Sequence, residues 1–464
     1  MVHPNAAPLT TQPEDVKLER PLGLLGGIAL VVGGVIGMGI YALIASVGAQ
    51  AGSALWVAFV LAIVISAIGV LPLIQIASAL PRAGGGYLFT SRLLNPALGM
   101  VTSYFAILGG ASSIALVSVG LAGYIVPYLP FDIPVRIVAV LLPLLFLILY
   151  FFGLRLAASL QILMVIQLII ALLVYALTGA AKFDLNFSVS LPQGVGGLIM
   201  ASILCYSVCM GFQVIAEMGE EMVHARRNIP LAMLIGGLII LAIYIIVGTV
   251  FISSVPYDFE TIKAMTAPLK DTGKMFLPDF WVAFLSLGAL SAGLTSFNAG
   301  AIALPRELFS QARDGIVPAF LGKISPHSHS PLNAVAVFFV FTAVLILMGQ
   351  SLDFYGVMTA VGILLMTAMI AVAGVRLPGR FPSRYQQAYF HIPRFWLWII
   401  MFIAVLSCLG FVFIVLMELP IVGIIYAAWT VLVLAYYYHR RGRLIRSGVD
   451  WKARVSRIPG FDED

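Results

Sequence analysis

Four glycines fall in the stretch Gly33-Gly34-Val35-Ile36-Gly37-Met38-Gly39-Ile40-Tyr41, inside an apolar segment running from about Pro21 to Val47. A helix in lipid keeps its backbone hydrogen bonds internal, and glycine is a poor helix former, so this cluster marks a place where such a helix opens or where a neighbouring helix comes close. Opened backbone at membrane depth must face protein or a water-filled cavity. Discontinuous helices of that kind build substrate and ion sites, with half-helix amide ends turned toward anionic groups.

The rest of the chain makes the membrane setting compulsory. Of 464 residues, 61% are hydrophobic and 10% charged, with mean hydropathy +1.06, which places the chain among polytopic membrane proteins. Cutting at charges, prolines and polar runs predicts twelve spans: 22–48, 54–80, 97–128, 133–152, 156–179, 195–222, 230–253, 280–305, 332–349, 354–375, 392–417 and 419–438. Each is long enough for a hydrocarbon core of about 30 Å. The first is too long for a signal-peptide core, so residues 1–20 are expected to remain as a polar tail. With both termini on one side, that side holds 21 of the 26 Lys and Arg residues, which by the positive-inside rule puts the termini in the cytoplasm of a cell-membrane protein. The pI near 9.2 is then topological. The basic run 439–446 meets lipid headgroups at most, and nothing supports nucleic-acid binding.

Cys205, Cys209 and Cys408 all lie in apolar spans, where thiols act mainly as small packing residues, and no disulfide or metal is expected of them. The histidines lie in tails, loops or span ends, which disfavours an intramembrane enzyme. Rings of charge or carbonyl filters, the marks of a channel, are not visible.

A second interrupted span strengthens the reading of the first. Tyr206-Ser207-Val208-Cys209-Met210-Gly211-Phe212-Gln213 sets glycine and small polar residues within the sixth apolar segment, followed by Glu217, Glu220, Glu221 and Arg226-Arg227-Asn228-Ile229-Pro230. Inverted repeats bring two such breaks together near the bilayer midplane.

These residues resemble the amino acid, polyamine and organocation (APC) transporter superfamily, most closely its cationic amino acid transporter-like branch. Ile36-Gly37-Met38-Gly39-Ile40 is similar to the family's unwound first-helix motif, and Pro81-Arg82-Ala83-Gly84-Gly85-Gly86-Tyr87 to its loop after span two. Gly211-Phe212, Glu220-Glu221 and Ile229-Pro230 follow its sixth-helix signature, with His224-Ala225 where Asn-Pro is usual. Arg306, Ala312-Arg313-Asp314-Gly315 and Pro318 resemble its loop after span eight. The resemblance covers about residues 20–440. It implies an all-α fold with a LeuT-like five-plus-five inverted repeat, residues 21–180 and 193–377, then two extra helices in 390–438 and a basic tail in 439–464. It also implies alternating-access transport of amino acids or related amines.

In that reading the amides at Ile36, Gly37, Met38, Gly39 and Ile40 receive a substrate carboxylate. The sixth-span break, with Tyr206, Ser207, Gly211, Phe212 and Gln213, receives the ammonium. The branch usually gates with an aromatic one position after Tyr206, where Ser207 stands, so Tyr206 is equally a packing residue. Relatives carry a carboxylate at Gln213, a lysine in span five for which Gln167 is the counterpart, and often a glutamate at Gln75. Intramembrane charge costs about 2.5–3.5 kcal/mol and persists mainly where ions or protons move, so neutral replacements remove the obvious proton carriers. Glu217 remains as a candidate for a proton or a cationic side chain, or as a structural partner of a cytoplasmic arginine. Thr295 and Ser296 are candidate sodium ligands, or hydroxyls bonded to their own helix. No cofactor is expected; sodium and protons are the candidate coupling ions, and lipid and a small amino acid or amine the partners. Neutral substrates are favoured because Gln213 replaces a carboxylate. A cationic amino acid or polyamine carrier and a non-transporting sensor are the alternatives.

Overall fold

The computed structural model describes residues 22–81, 85–152, 158–185, 187–208, 215, 222–325, 330–451 and 455. Gly211, Phe212, Gln213, Glu217, Glu220, Glu221 and Arg82 lie outside the described residues.

Regular structure among the described residues is helical, save one parallel bridge between Leu22 and Met222. In chain order the helices are α1 Leu24–Ala51, α2 Leu55–Ala79, α3 Gly85–Leu93, α4 Pro96–Ile125, α5 Val135–Phe151, α6 Ala158–Lys182, α7 Gly194–Ser207 and α8 Ala225–Ser254. There follow α9 Phe259–Lys263, α10 Pro268–Gly273, α11 Asp279–Arg313, α12 Leu332–Leu347, α13 Leu352–Arg380, α14 Pro382–Gln387, α15 Arg394–Glu418 and α16 Pro420–Arg446. Eight runs are long and apolar enough to cross a membrane, with residues 24–79 taken as one run; α5, α7 and α12 are shorter apolar helices. The protein is an all-α polytopic membrane protein.

Local chemistry sets several boundaries. Asn95 accepts the Leu98 amide and Pro96 opens α4, while Ser351 accepts the Phe354 amide at the start of α13. Between α1 and α2, Gly52 adopts φ +56, a left-handed conformation that glycine takes without penalty. The sequence reading differs most at α3, a nine-residue helix where a loop motif was expected.

Burial shows what surrounds what. α1 is apolar on all sides and almost wholly buried, as a central helix must be, and touches α4, α6, α7, α8 and α11. α15 and α16 bury few of their large apolar side chains and leave about half fully exposed, which suits a lipid-facing periphery. Close approach of α4 and α13 depends on small residues: a Cβ on Gly109 would stand 3.1 Å from the Gly362 Cα. Ser103 meets Gln311, Ile114 lies beside Gly300 and Leu121 beside Gly293, so α4 runs antiparallel to α11.

Candidate substrate site at the break in α1

α1 is interrupted at Gly37, whose φ of 27° and ψ of −157° are not helical. The interruption frees carbonyls of the first half, and other helices take them up. The Tyr244 hydroxyl of α8 donates to the Val35 carbonyl at 2.7 Å, and the Thr295 hydroxyl of α11 reaches the Gly33 carbonyl at 3.2 Å. This is how lipid-embedded backbone tolerates a break. The second half begins after Gly37, so the amides at its start have no intrahelical acceptor and form a half-helix N-terminus suited to an anion.

Side chains are excluded at the break by contact. A Cβ on Gly37 would fall on the Ser296 Oγ, and one on Gly39 would fall on Val208. A cavity opens on this point, with an empty volume of about 760 Å³ that counts its mouth and the open space beyond it. Gly37, Met38 and Gly39 of α1, Ser207 and Val208 after α7, Ser296 of α11 and Met366 of α13 all line it. Ile114 and Val117 of α4 complete an apolar stretch of wall.

Of the residues expected at the site, Gly37, Met38, Gly39, Ser207 and Ser296 are therefore brought together. Ile36 is buried in α1 away from the wall, and Ile40 borders a smaller neighbouring cavity with Gly39 and Val208. Tyr206 is buried and meets Phe411 edge-on at 6.4 Å, a packing contact. The Ser207 hydroxyl donates to the Leu204 carbonyl, and the Ser296 hydroxyl to Ala292. Thr295 also donates to Ala292, at 3.0 Å, so its own helix holds it while it reaches Gly33. Gln75 lies elsewhere: its Oε1 accepts the Ile392 amide.

The span-five glutamine beside the break is Gln161, where Gln167 was expected. Gln167 donates to the Phe284 carbonyl and is not on the cavity wall. Gln161 Nε2 stands 3.0 Å from where a Gly33 Cβ would lie, and Gln161 Oε1 accepts from Asn298 Nδ2 at 3.2 Å. Gln161 Nε2 and Asn298 Oδ1 have no partner among the described residues. Helical periodicity carries the signal: Gln161, Val165, Leu168 and Leu172 share one buried face of α6, from which Gln167 is displaced. No group of three or more His, Cys, Asp or Glu among the described residues could hold a metal ion.

Comparison with known proteins agrees with this architecture. Residues 22–436 match the family model described as amino acid permease. The chain is 27% identical over 357 residues to the protein named cationic amino acid transporter 4, vacuolar, of Arabidopsis thaliana, covering 71% of this chain and 58% of that one. It is 25% identical over 394 residues to a branched-chain amino acid permease of Bacillus subtilis, covering 80% and 83% of the two chains. An uncharacterized transporter of Mycobacterium tuberculosis is 26% identical over 330 residues, covering 70% and 73%. With a match that spans nearly all of the helical region, the chain belongs to the amino acid permease family, whose members are membrane transporters and not enzymes.

Proposed function

We infer that the protein is a secondary transporter of amino acids that works by alternating access on a LeuT-like repeat. The observation that carries this is the non-helical Gly37 opening onto a cavity bounded by α4, α7, α11 and α13. In the proposed pose the substrate carboxylate sits on the amides after Gly37, with Ser296 alongside. The sequence motif assigns the ammonium to Gly211, Phe212 and Gln213, which lie outside the described residues. The apolar wall of Ile114, Val117, Val208 and Met366 favours a neutral, apolar side chain over a charged one.

Helix packing supports the repeat. Pairing α1, α2, α4, α5 and α6 with α7, α8, α11, α12 and α13 maps contacts onto contacts: α1–α8 onto α7–α2, α4–α13 onto α11–α6, α4–α5 onto α11–α12, and α2–α13 onto α8–α6. With α15 and α16 outside, this gives twelve spans and both termini in the cytoplasm, the side favoured by the charge bias.

Protons have no obvious carrier at the break, because Gln161 and Asn298 cannot titrate. Sodium, if it couples, would be held by the Gly33 carbonyl and the Thr295 and Ser296 hydroxyls, hard oxygen ligands of the right type. Thermal-shift screening of the twenty amino acids and common polyamines identifies the ligand by linkage. Exchange of that ligand in proteoliposomes then tests transport: flux is expected, and saturable binding without flux would make the protein a sensor.

A further inference from the structure

One end of the cavity is charged. Along α11 its wall is formed by Ser296, Ala299, Gly300, Ala303, Leu304 and Glu307, and Glu307 is the one ionisable residue among the described residues that line it. From Ser296 to Glu307 the helix advances about 16 Å at 1.5 Å per residue, too far for one amino acid to touch both ends. Glu307 is 1% exposed, and its two carboxylate oxygens accept the Gly86 and Tyr87 amides of α3, each at 2.8 Å. Gly86 permits this approach, since a Cβ there would stand 2.5 Å from Glu307 Oε1.

Two amides do not exhaust or neutralise the group. A carboxylate offers roughly four acceptor sites, and the end of a helix such as α3 supplies about half a positive charge against one negative. Of the other charges near this end of α11, Arg92 pairs with Asp314 at 2.7 Å, and Arg306 and Arg313 have partners of their own and do not line the cavity. A negative remainder therefore faces a cavity walled by small apolar residues, which focus rather than screen its field.

We propose that Glu307 forms a second, transient cation site at the cytoplasmic end of the cavity, where the ammonium group of a substrate docks between the midplane site and the cytoplasm. The side assigned to it rests on the cytoplasmic termini inferred above; the carboxylate and its place on the wall do not. Such a site admits zwitterionic and cationic amino compounds and repels dicarboxylates, a selection independent of the apolar midplane wall.

Accessibility chemistry tests this without requiring transport. Full-length protein in nanodiscs, with Cys205, Cys209 and Cys408 replaced by alanine, carries a single Ala303→Cys. This position is one helical turn, roughly 6 Å, from Glu307. Its reaction rates with aminoethyl and sulfonatoethyl methanethiosulfonate are compared with those of a free small thiol. Half a charge at that distance in an effective dielectric near 20 speeds the cation and slows the anion about tenfold each, raising the cation-to-anion ratio about a hundredfold. Glu307→Gln is expected to return the ratio to the free-thiol value, and Glu307→Asp to retain most of it. Val117→Cys, at the other end of the wall, is expected near the free-thiol value with Glu307 intact, so the gradient is readable even if Glu307→Gln misfolds. Equal ratios at Ala303→Cys and Val117→Cys, or a ratio unmoved by Glu307→Gln in folded protein, would reduce Glu307 to a cap on α3.

Discussion

At the break in α1 the polar groups taken out of a helix are backbone carbonyls, met by the neutral hydroxyls of Tyr244 and Thr295. At the junction of α3 with the far end of α11 they are charged side chains: Arg92 grips Asp314 through both terminal nitrogens, and Tyr87 donates to the same carboxylate at 2.5 Å. Neutral bonds contribute about 1 kcal/mol each and can be exchanged at little cost, whereas removing one member of a buried ion pair costs about 3–5 kcal/mol. The break is thus the cheaper of the two regions to rearrange and the junction the costlier. α16 braces that junction, with Arg440 and Tyr436 donating to the Gly315 and Ile316 carbonyls.

The largest expected effect follows from the junction. Asp314→Asn leaves Arg92 buried against a neutral amide and should cost about 3–5 kcal/mol of stability, seen as a large fall in thermal midpoint in detergent. A loss below about 1 kcal/mol, the value of an exposed pair, would dissolve the contrast. Next comes the break itself: Gly39→Val forces side-chain bulk onto Val208, and overpacking of about 1–3 kcal/mol should weaken amino acid binding roughly tenfold to hundredfold. A folded variant that binds normally would return Gly39 to ordinary helix packing.

The interruption was legible in the sequence as one of two uses of four glycines in nine residues, the other being close helix packing. The walls of the site were not, because Ala106, Gly110, Ala299 and Ala303 are indistinguishable from packing residues until α4 and α11 are set side by side. α3 was read as a loop since Gly85-Gly86-Tyr87 has no local helix signal. Its first turn is held by Glu307, 221 residues further along the chain from Gly86, and no local propensity reports that. The resemblance names Gln167 as the counterpart of the relatives' lysine, while the glutamine on the buried face of α6 beside the break is Gln161. Glu217, Gly211, Phe212 and Gln213 lie outside the described residues, and the prediction attached to Glu217, that Glu217→Gln removes any steep pH dependence of exchange, stands on the sequence.

Smaller effects sharpen the comparison. Tyr244→Phe removes the donor to the Val35 carbonyl and should cost about 1–2 kcal/mol, and under the proposed alternating-access cycle it should change the exchange rate more than the affinity. Unchanged exchange kinetics would make that bond part of the static frame. The combined Thr295→Ala and Ser296→Ala changes should lower stability by about 1 kcal/mol and, where replacing sodium with potassium weakens binding in the parent protein, abolish that difference. Persistent sodium sensitivity in the double variant would place the ion elsewhere.

The most direct test of the account is amino acid binding by Gly37→Ala, which adds a single methyl at the one residue where α1 leaves helical geometry. The methyl would fall on the Ser296 Oγ, at a φ of +27° that L side chains rarely adopt. The expected result is a monodisperse, cooperatively unfolding protein that no longer gives a thermal shift with the amino acid that stabilises the parent. Parental affinity in that folded variant would show that the opening at Gly37 is not where the substrate binds.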